Sequence, residues 1–131
     1  MIGIVFAGHG KFPEGLKHST EMIAGTVEQS VIASLSPGED PSDFGRSLAK
    51  AIDSVETGNG VLVLTDLKGG TPFNQSLLLS QNKNIQILCG SNLPLSLSAV
   101  LTRQEEMSLT DLTQAVMEDA YTSIDLIRYP R

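Results

Sequence analysis

Ile2-Gly3-Ile4-Val5-Phe6-Ala7 runs straight into Gly8-His9-Gly10. The run is apolar and partly β-branched, too short for a stable helix and cut off by glycine, as a strand buried on both faces would be. Val61-Leu62-Val63-Leu64 repeats the pattern after Gly58-Asn59-Gly60, and Ile85-Gln86-Ile87-Leu88-Cys89 repeats it again before Gly90-Ser91-Asn92. Helical patterns lie between. Phe44, Leu48, Ala51, Ile52 and Val55 recur at i, i+4 and i+7/i+8 behind Pro41, which suits a first helical position. A helix is predicted over 14–24 with Leu16 and Ile23 facing inward. Thr71-Pro72 opens another with Thr71 as the cap, and Ser108 with Asp111 resembles a capping box for a helix through about Ala120 that buries Leu112 and Val116.

Strands alternating with helices of this length imply right-handed βαβ crossovers. The expected fold is α/β, a three-layer sandwich whose central sheet is mostly parallel. Val27 to Leu35, a mix of β-branched and polar residues before Ser36-Pro37-Gly38, is expected as an outer strand. Ser123 to Tyr129 is expected as an antiparallel C-terminal edge strand. Ile124, Leu126 and Ile127 make that segment too apolar for a free tail, so pairing with a second copy of the chain, a homodimer, is expected.

At 131 residues the chain has the length of one domain, read over 1–131. Its 40% apolar and 18% charged residues are those of an ordinary globular protein. Nine Lys and Arg against fifteen Asp and Glu leave a formal charge of -6, which repels a phosphate backbone and argues against nucleic-acid binding. The single cysteine, Cys89, forms neither an internal disulfide nor a cysteine metal cluster, and is read as a small buried residue of a protein in a reducing compartment. The apolar start lacks a basic leader and soon meets His9, Lys11 and Glu14, so neither signal peptide nor membrane insertion is expected, and the protein is read as cytoplasmic.

In an open α/β sheet ligands bind beyond the carboxyl ends of the strands, where strand order reverses. His9, Asp66 and Ser91-Asn92 each follow a strand and so converge on one edge. An imidazole keeps a ring lone pair near neutral pH and serves as a nucleophile. A carboxylate on its other nitrogen fixes the tautomer and stabilises the cation formed on attack, and Asp66 can supply it. Gly69-Gly70-Thr71-Pro72 reads as a turn into a helix start, where free amides, the helix dipole and the Thr71 hydroxyl favour a tetrahedral anion. Histidine, carboxylate and anion cradle together describe phosphoryl transfer to histidine, with Gly70 and Thr71 as phosphoryl-binding residues.

Other motifs fail on spacing. Pro13 stands where a G-x-G-x-x-G loop needs its third glycine, and no Gly-Lys-Ser/Thr is present. His9 and His18 are not at ligand spacing on a shared helix, so no metal site is expected. Blander roles compete at each position. Asp66 before glycines commonly caps a turn, His18 four residues after Glu14 looks like a solvated surface pair, and Ser91 and Asn92 are turn residues first. Phe12, Lys68, Phe73 and Asn92 are candidate site-edge or partner contacts.

Three segments carry a resemblance: Val5-Phe6-Ala7-Gly8-His9-Gly10, Leu64-Thr65-Asp66-Leu67-Lys68-Gly69-Gly70-Thr71-Pro72-Phe73-Asn74, and Gly90-Ser91-Asn92-Leu93-Pro94. In this order at matching strand ends they resemble the EIIA component of mannose-type sugar phosphotransferase systems, over nearly the whole chain. The resemblance implies that His9 takes a phosphoryl group from the small carrier HPr and passes it to a cognate EIIB, which serves the membrane components EIIC and EIID. It makes Asp66 the partner carboxylate and Thr71 a phosphoryl contact. It also implies a homodimer with an exchanged C-terminal strand and no metal or organic cofactor. Lys68, often aromatic or apolar in relatives, and Leu95-Ser96, in place of Met and an apolar residue, depart from the pattern. Two other readings stay open: a carrier of the same fold for another acceptor, such as the one feeding dihydroxyacetone kinase, and a noncatalytic regulatory module.

Overall fold

The structure, a computed structural model, describes residues 1–130. Its elements run β1 (Gly3–His9), α1 (Phe12–Ala24), β2 (Ser30–Leu35), α2 (Pro41–Val55), β3 (Val61–Thr65), α3 (Thr71–Leu79), β4 (Ile85–Leu88), α4 (Leu93–Thr102) and α5 (Leu109–Ala120). The four strands form one sheet in the order β2-β1-β3-β4, every pair parallel. β1 and β3 are central and buried almost throughout, as their unbroken apolar runs require.

The pleat divides these runs between two cores. Ile4 and Phe6 of β1 with Leu62 and Leu64 of β3 pack against Leu16 of α1, Leu95 and Ala99 of α4, and Leu109, Leu112 and Val116 of α5. Val5 and Ala7 with Val61 and Val63 pack on the other face against Phe44, Leu48, Ile52 and Val55 of α2. The sheet is therefore covered on both sides. The periodicity that predicted α2 matches the observed burial, except that Ala51 lies half-buried at the core margin. Among the described residues no helix is long and apolar enough to cross a membrane.

Several expectations need correction. Among the described residues no antiparallel strand joins the sheet: Ser123 to Tyr129 pairs with no strand backbone, and Ile124, Leu126 and Ile127 stand 89%, 71% and 62% exposed. The segment leaves α5 held by two bonds at Ser123, from its amide to the Ala120 carbonyl and at its hydroxyl from the Asn92 amide, so nothing aligns its backbone on an edge of its own chain. Ile23 shares the stripe of Leu16 and Thr20 but is exposed, because it lies in the last turn of α1, past the residues that the helix buries, Pro13, Leu16 and Thr20. Gly70, not Thr71, occupies the cap of α3. Cys89 is only half-buried.

Helix α4 has no strong apolar period, and Ser96 and Ser98 are buried within it. The Ser96 hydroxyl meets the Thr20 hydroxyl at 2.7 Å, and the Thr20 hydroxyl is also 2.7 Å from the Leu16 carbonyl, to which it donates. Ser96 is thereby paired across α1 and α4. A buried hydroxyl that loses its partner keeps its desolvation cost, whereas removing both hydroxyls relieves it. Thr20→Val should destabilise by about 1–3 kcal/mol, and Thr20→Val/Ser96→Ala should recover much of the loss in urea unfolding. Equal stability of wild type and Thr20→Val would remove the pair from the account of helix packing.

Candidate functional site

The order β2-β1-β3-β4 reverses direction between β1 and β3, since the chain moves one way from β1 to β2 and the other way to β3 and β4. A crevice opens beyond the carboxyl ends at such a point. Ala7 pairs with Thr65, so His9 and Asp66 emerge side by side there although they are 57 positions apart in sequence.

One carboxylate oxygen of Asp66, Oδ2, accepts from the His9 backbone amide at 2.8 Å and lies 2.7 Å from His9 Nδ1. The other oxygen, Oδ1, accepts from the Leu67 amide at 2.9 Å. Asp66 thus caps its own turn with one oxygen and holds the histidine with the other, so the blander role and the functional one coexist. Burial by itself pushes the Asp66 carboxyl up, but the bonds from His9 and Leu67 outweigh it and hold it below its ordinary value. An ionised carboxylate only accepts, so Nδ1 carries a proton, and in the neutral ring the lone pair is on Nε2.

That lone pair is accessible. The His9 side chain is 47% exposed, while that of Asp66 is 11% exposed, so the partner is covered and the reactive edge is open. Two close approaches set the ring. A side-chain carbon at Gly8 would come within 3.1 Å of the Asp66 carboxylate and 3.3 Å of Phe12 Cδ1. One at Gly70 would come within 2.9 Å of His9 Cε1 and 3.5 Å of Nε2. Glycine at both positions leaves the space that the pair occupies.

The cap of α3 therefore lies beside the Cε1–Nε2 edge of the ring. Helix α3 spans nine residues, its first amides have no intrahelical acceptor, and Pro72 has no amide hydrogen to offer. The Thr71 and Phe73 amides remain at the positive end of the helix dipole. Helix starts of this kind attract anions, and this one lies beside the Cε1–Nε2 edge of the His9 ring.

The other sequence candidates are distributed around this centre. Phe12 is 40% exposed and borders Gly8 and Asp66. With Gly15, Leu16, Ser19, Ser91, Asn92 and Leu93 it lines a shallow, mainly apolar groove beside the site. Asn92 is used structurally: its Oδ1 caps α4 by accepting from the Leu95 amide, and its Nδ2 donates to Ser123 Oγ. Lys68 is exposed in the turn after Asp66, and Phe73 is half-buried in the first turn of α3. His18 is an exposed residue of α1, away from the carboxyl ends of the strands. Sequence reasoning missed the Leu67 amide and the packing role of Gly8. An aspartate commonly bonds to nearby backbone amides, which was the available signal for the first.

Comparison with known proteins places this geometry. The family model EIIA-man, described as PTS system fructose IIA component, matches residues 3–117. The PTS system fructose-specific EIIA component of Bacillus subtilis (strain 168) is 32% identical over 113 residues, covering 86% of this chain and 77% of that protein. The PTS system mannose-specific EIIAB component of Escherichia coli (strain K12) is 26% identical over 97% of this chain, which spans only 40% of that longer protein. The crystal structure of phosphotransferase system component EIIA from Streptococcus agalactiae superposes with a TM-score of 0.86 at 36% identity, covering 96% of this chain and 97% of that one. With its histidine and aspartate at the switch point of a parallel sheet and a family model matched over most of its length, the chain belongs to the EIIA-man family of phosphotransferase-system components.

Proposed function

We propose that the chain is a cytoplasmic phosphoryl carrier that accepts a phosphoryl group from phosphorylated HPr on Nε2 of His9 and passes it to a cognate EIIB. EIIC and EIID partners then use it for sugar uptake and phosphorylation. One observation carries this reading: Asp66 occupies Nδ1 and the backbone amide of His9, leaving Nε2 as the open nitrogen against the start of α3. The Nε2 lone pair forms a bond to phosphorus as the donor's P–N bond breaks, and the electron pair of that bond returns to the donor imidazole. The His9 ring then carries a positive charge with its Nδ1 proton facing Asp66, while Gly70, Thr71 and the amides of α3 receive the phosphoryl oxygens. In transfer to EIIB the roles reverse: a nucleophilic atom of EIIB bonds to phosphorus as the His9 Nε2–P bond breaks, and the electron pair of that bond returns to the His9 ring. Phe12, Lys68 and Phe73 border the path by which either partner arrives.

The reading extends to assembly. The unpaired edge of β4 and helix α5 bound a groove lined by Gln86, Ile87, Leu88, Thr113, Gln114 and Met117. The exposed apolar residues at 124, 126 and 127 are of a kind to cover it from a second copy, making the homodimer.

Incubation with phosphorylated HPr should add one phosphoryl group by intact mass, acid-labile and base-stable; His9→Ala should abolish it and His18→Ala should not. Equal labelling of wild type and His9→Ala sinks the assignment, and no labelling of wild type favours a noncatalytic module.

Asp66→Asn should fold yet slow transfer about a hundredfold in quenched-flow measurements, since the amide lacks the charge that stabilises the cationic ring. The sign of its effect on stability follows from the lowered pKa. The Asp66 contribution is complete above the ordinary carboxylate value and is lost as pH falls through the folded value. Urea midpoints of wild type and Asp66→Asn should differ at neutral pH and converge below about pH 4. A gap independent of pH would overturn the assignment of an ionised Asp66.

A chain ending at Ala120 should elute as a monomer or aggregate in light-scattering chromatography, and the full chain as a dimer. A monomeric full chain at micromolar concentration would remove the tail from assembly.

A further inference from the structure

Asn74 belongs to the Gly69–Asn74 stretch singled out in the sequence, yet it neither faces the core nor contacts His9. It is exposed in the first full turn of α3. Asparagine is a poorer helix former than alanine at such a position, because its side chain competes for backbone hydrogen bonds. Here it makes one: Nδ2 donates to the Gly69 carbonyl at 3.1 Å, while the Asn74 amide donates to the Gly70 carbonyl at 2.8 Å. Both carbonyls of the glycine turn are thus tied to one residue. Gly70 brings no side-chain cap of its own, and Gly69 is held at φ +89°, a conformation open to glycine and costly for other residues.

The tie reaches the site through a single step. Gly70 is the residue against which the His9 ring lies, close enough that an added carbon would meet Cε1 at 2.9 Å. A turn free to shift by a few tenths of an ångström would move the surface under the ring and the first amides of α3 together. Accepting from Asn74 also aims the Gly69 carbonyl, a negative dipole end, at the flank of α3.

We propose that Asn74 is a positioning residue: by anchoring the Gly69 carbonyl through its side chain it holds the start of α3 at the distance from His9 Nε2 that phosphoryl transfer requires. The proposal rests on the reading of Nε2 as the phosphoryl acceptor. Asn74 touches neither the reacting atoms nor the carboxylate, so it acts on transfer only through the turn.

The experiment compares wild type, Asn74→Ala and Asn74→Gln as full-length protein. In Asn74→Ala, protection of the residue-74 backbone amide, which donates to the Gly70 carbonyl, should fall roughly fivefold to tenfold in hydrogen exchange, the scale of one exposed hydrogen bond. The His9 Cε1–H resonance should shift, and kcat for phosphoryl acceptance should fall several-fold at an unchanged KM for phosphorylated HPr. Melting temperature should hold or rise, because alanine favours the helix. Asn74→Gln, which returns the amide on a longer arm, should lie between the other two. Wild-type protection of the residue-74 backbone amide with an unmoved His9 resonance in Asn74→Ala overturns the proposal, as does a loss of kcat that tracks a general loss of stability. The exchange and resonance measurements need no phosphoryl donor. A wild type that accepts no phosphoryl group therefore refutes the carrier reading, while the tie between Asn74 and the ring is decided separately.

Discussion

The pairing of β1 with β3 is the constraint from which the other features descend. Its register sets Ala7 against Thr65, and the two chains leave the sheet together, one as Gly8-His9 and the other as Asp66-Leu67. A slip of one residue would turn every side chain to the opposite face. Val5 and Ala7 would then meet the core built for Ile4 and Phe6, and the carboxylate would no longer reach the ring. The two cores that enforce this register, one against α1, α4 and α5 and the other against α2, are thus also what holds His9 Nδ1 within 2.7 Å of Asp66. Packing energy that is nonspecific in kind becomes specific in position because both faces of the same strands are buried.

Asp66 resolves a conflict that burial creates. Covering a carboxylate favours its neutral form, and a neutral Asp66 could not hold the histidine as an acceptor alone. Three hydrogen bonds, two of them from backbone amides, restore the ionised form. Backbone donors suit this role, since the strand and turn geometry fixes them in place. The ring nitrogen on the far side is then defined by elimination, and the helix start beyond it meets that nitrogen with partial positive charge.

Much of this was legible in the residues. Apolar runs bounded by glycine on one side mark β1, β3 and β4, and Phe44, Leu48, Ile52 and Val55 mark α2, because complete or one-sided burial leaves a period in the sequence. The convergence of His9 and Asp66 followed from parallel strand direction alone. Helix α4 was not legible: it buries Ser96 and Ser98 and so lacks an apolar stripe, and its cap, Asn92, reads equally as a turn residue. The fate of Ser123 to Tyr129 was misjudged for a different reason. Apolar alternation reports that a segment will be covered, but it does not name the surface that covers it, and in this chain no strand edge does. The close contacts at Gly8 and Gly70 were hidden too, since a missing side chain gives no sign of what fills its place.

The openness of the His9 ring has a kinetic meaning. With nearly half its surface exposed and its carboxylate already bonded, nothing in the site has to open or close before a partner arrives, so exchange can run at the pace of productive encounters. The same openness admits water. On the proposed reading, a phosphorylated ring is shielded from hydrolysis by charge compensation from Asp66 and the helix start more than by walls. The molecule would then trade shelf life of its charged form for speed of hand-over, a bargain that suits a relay whose cargo is meant to be collected soon after it is received.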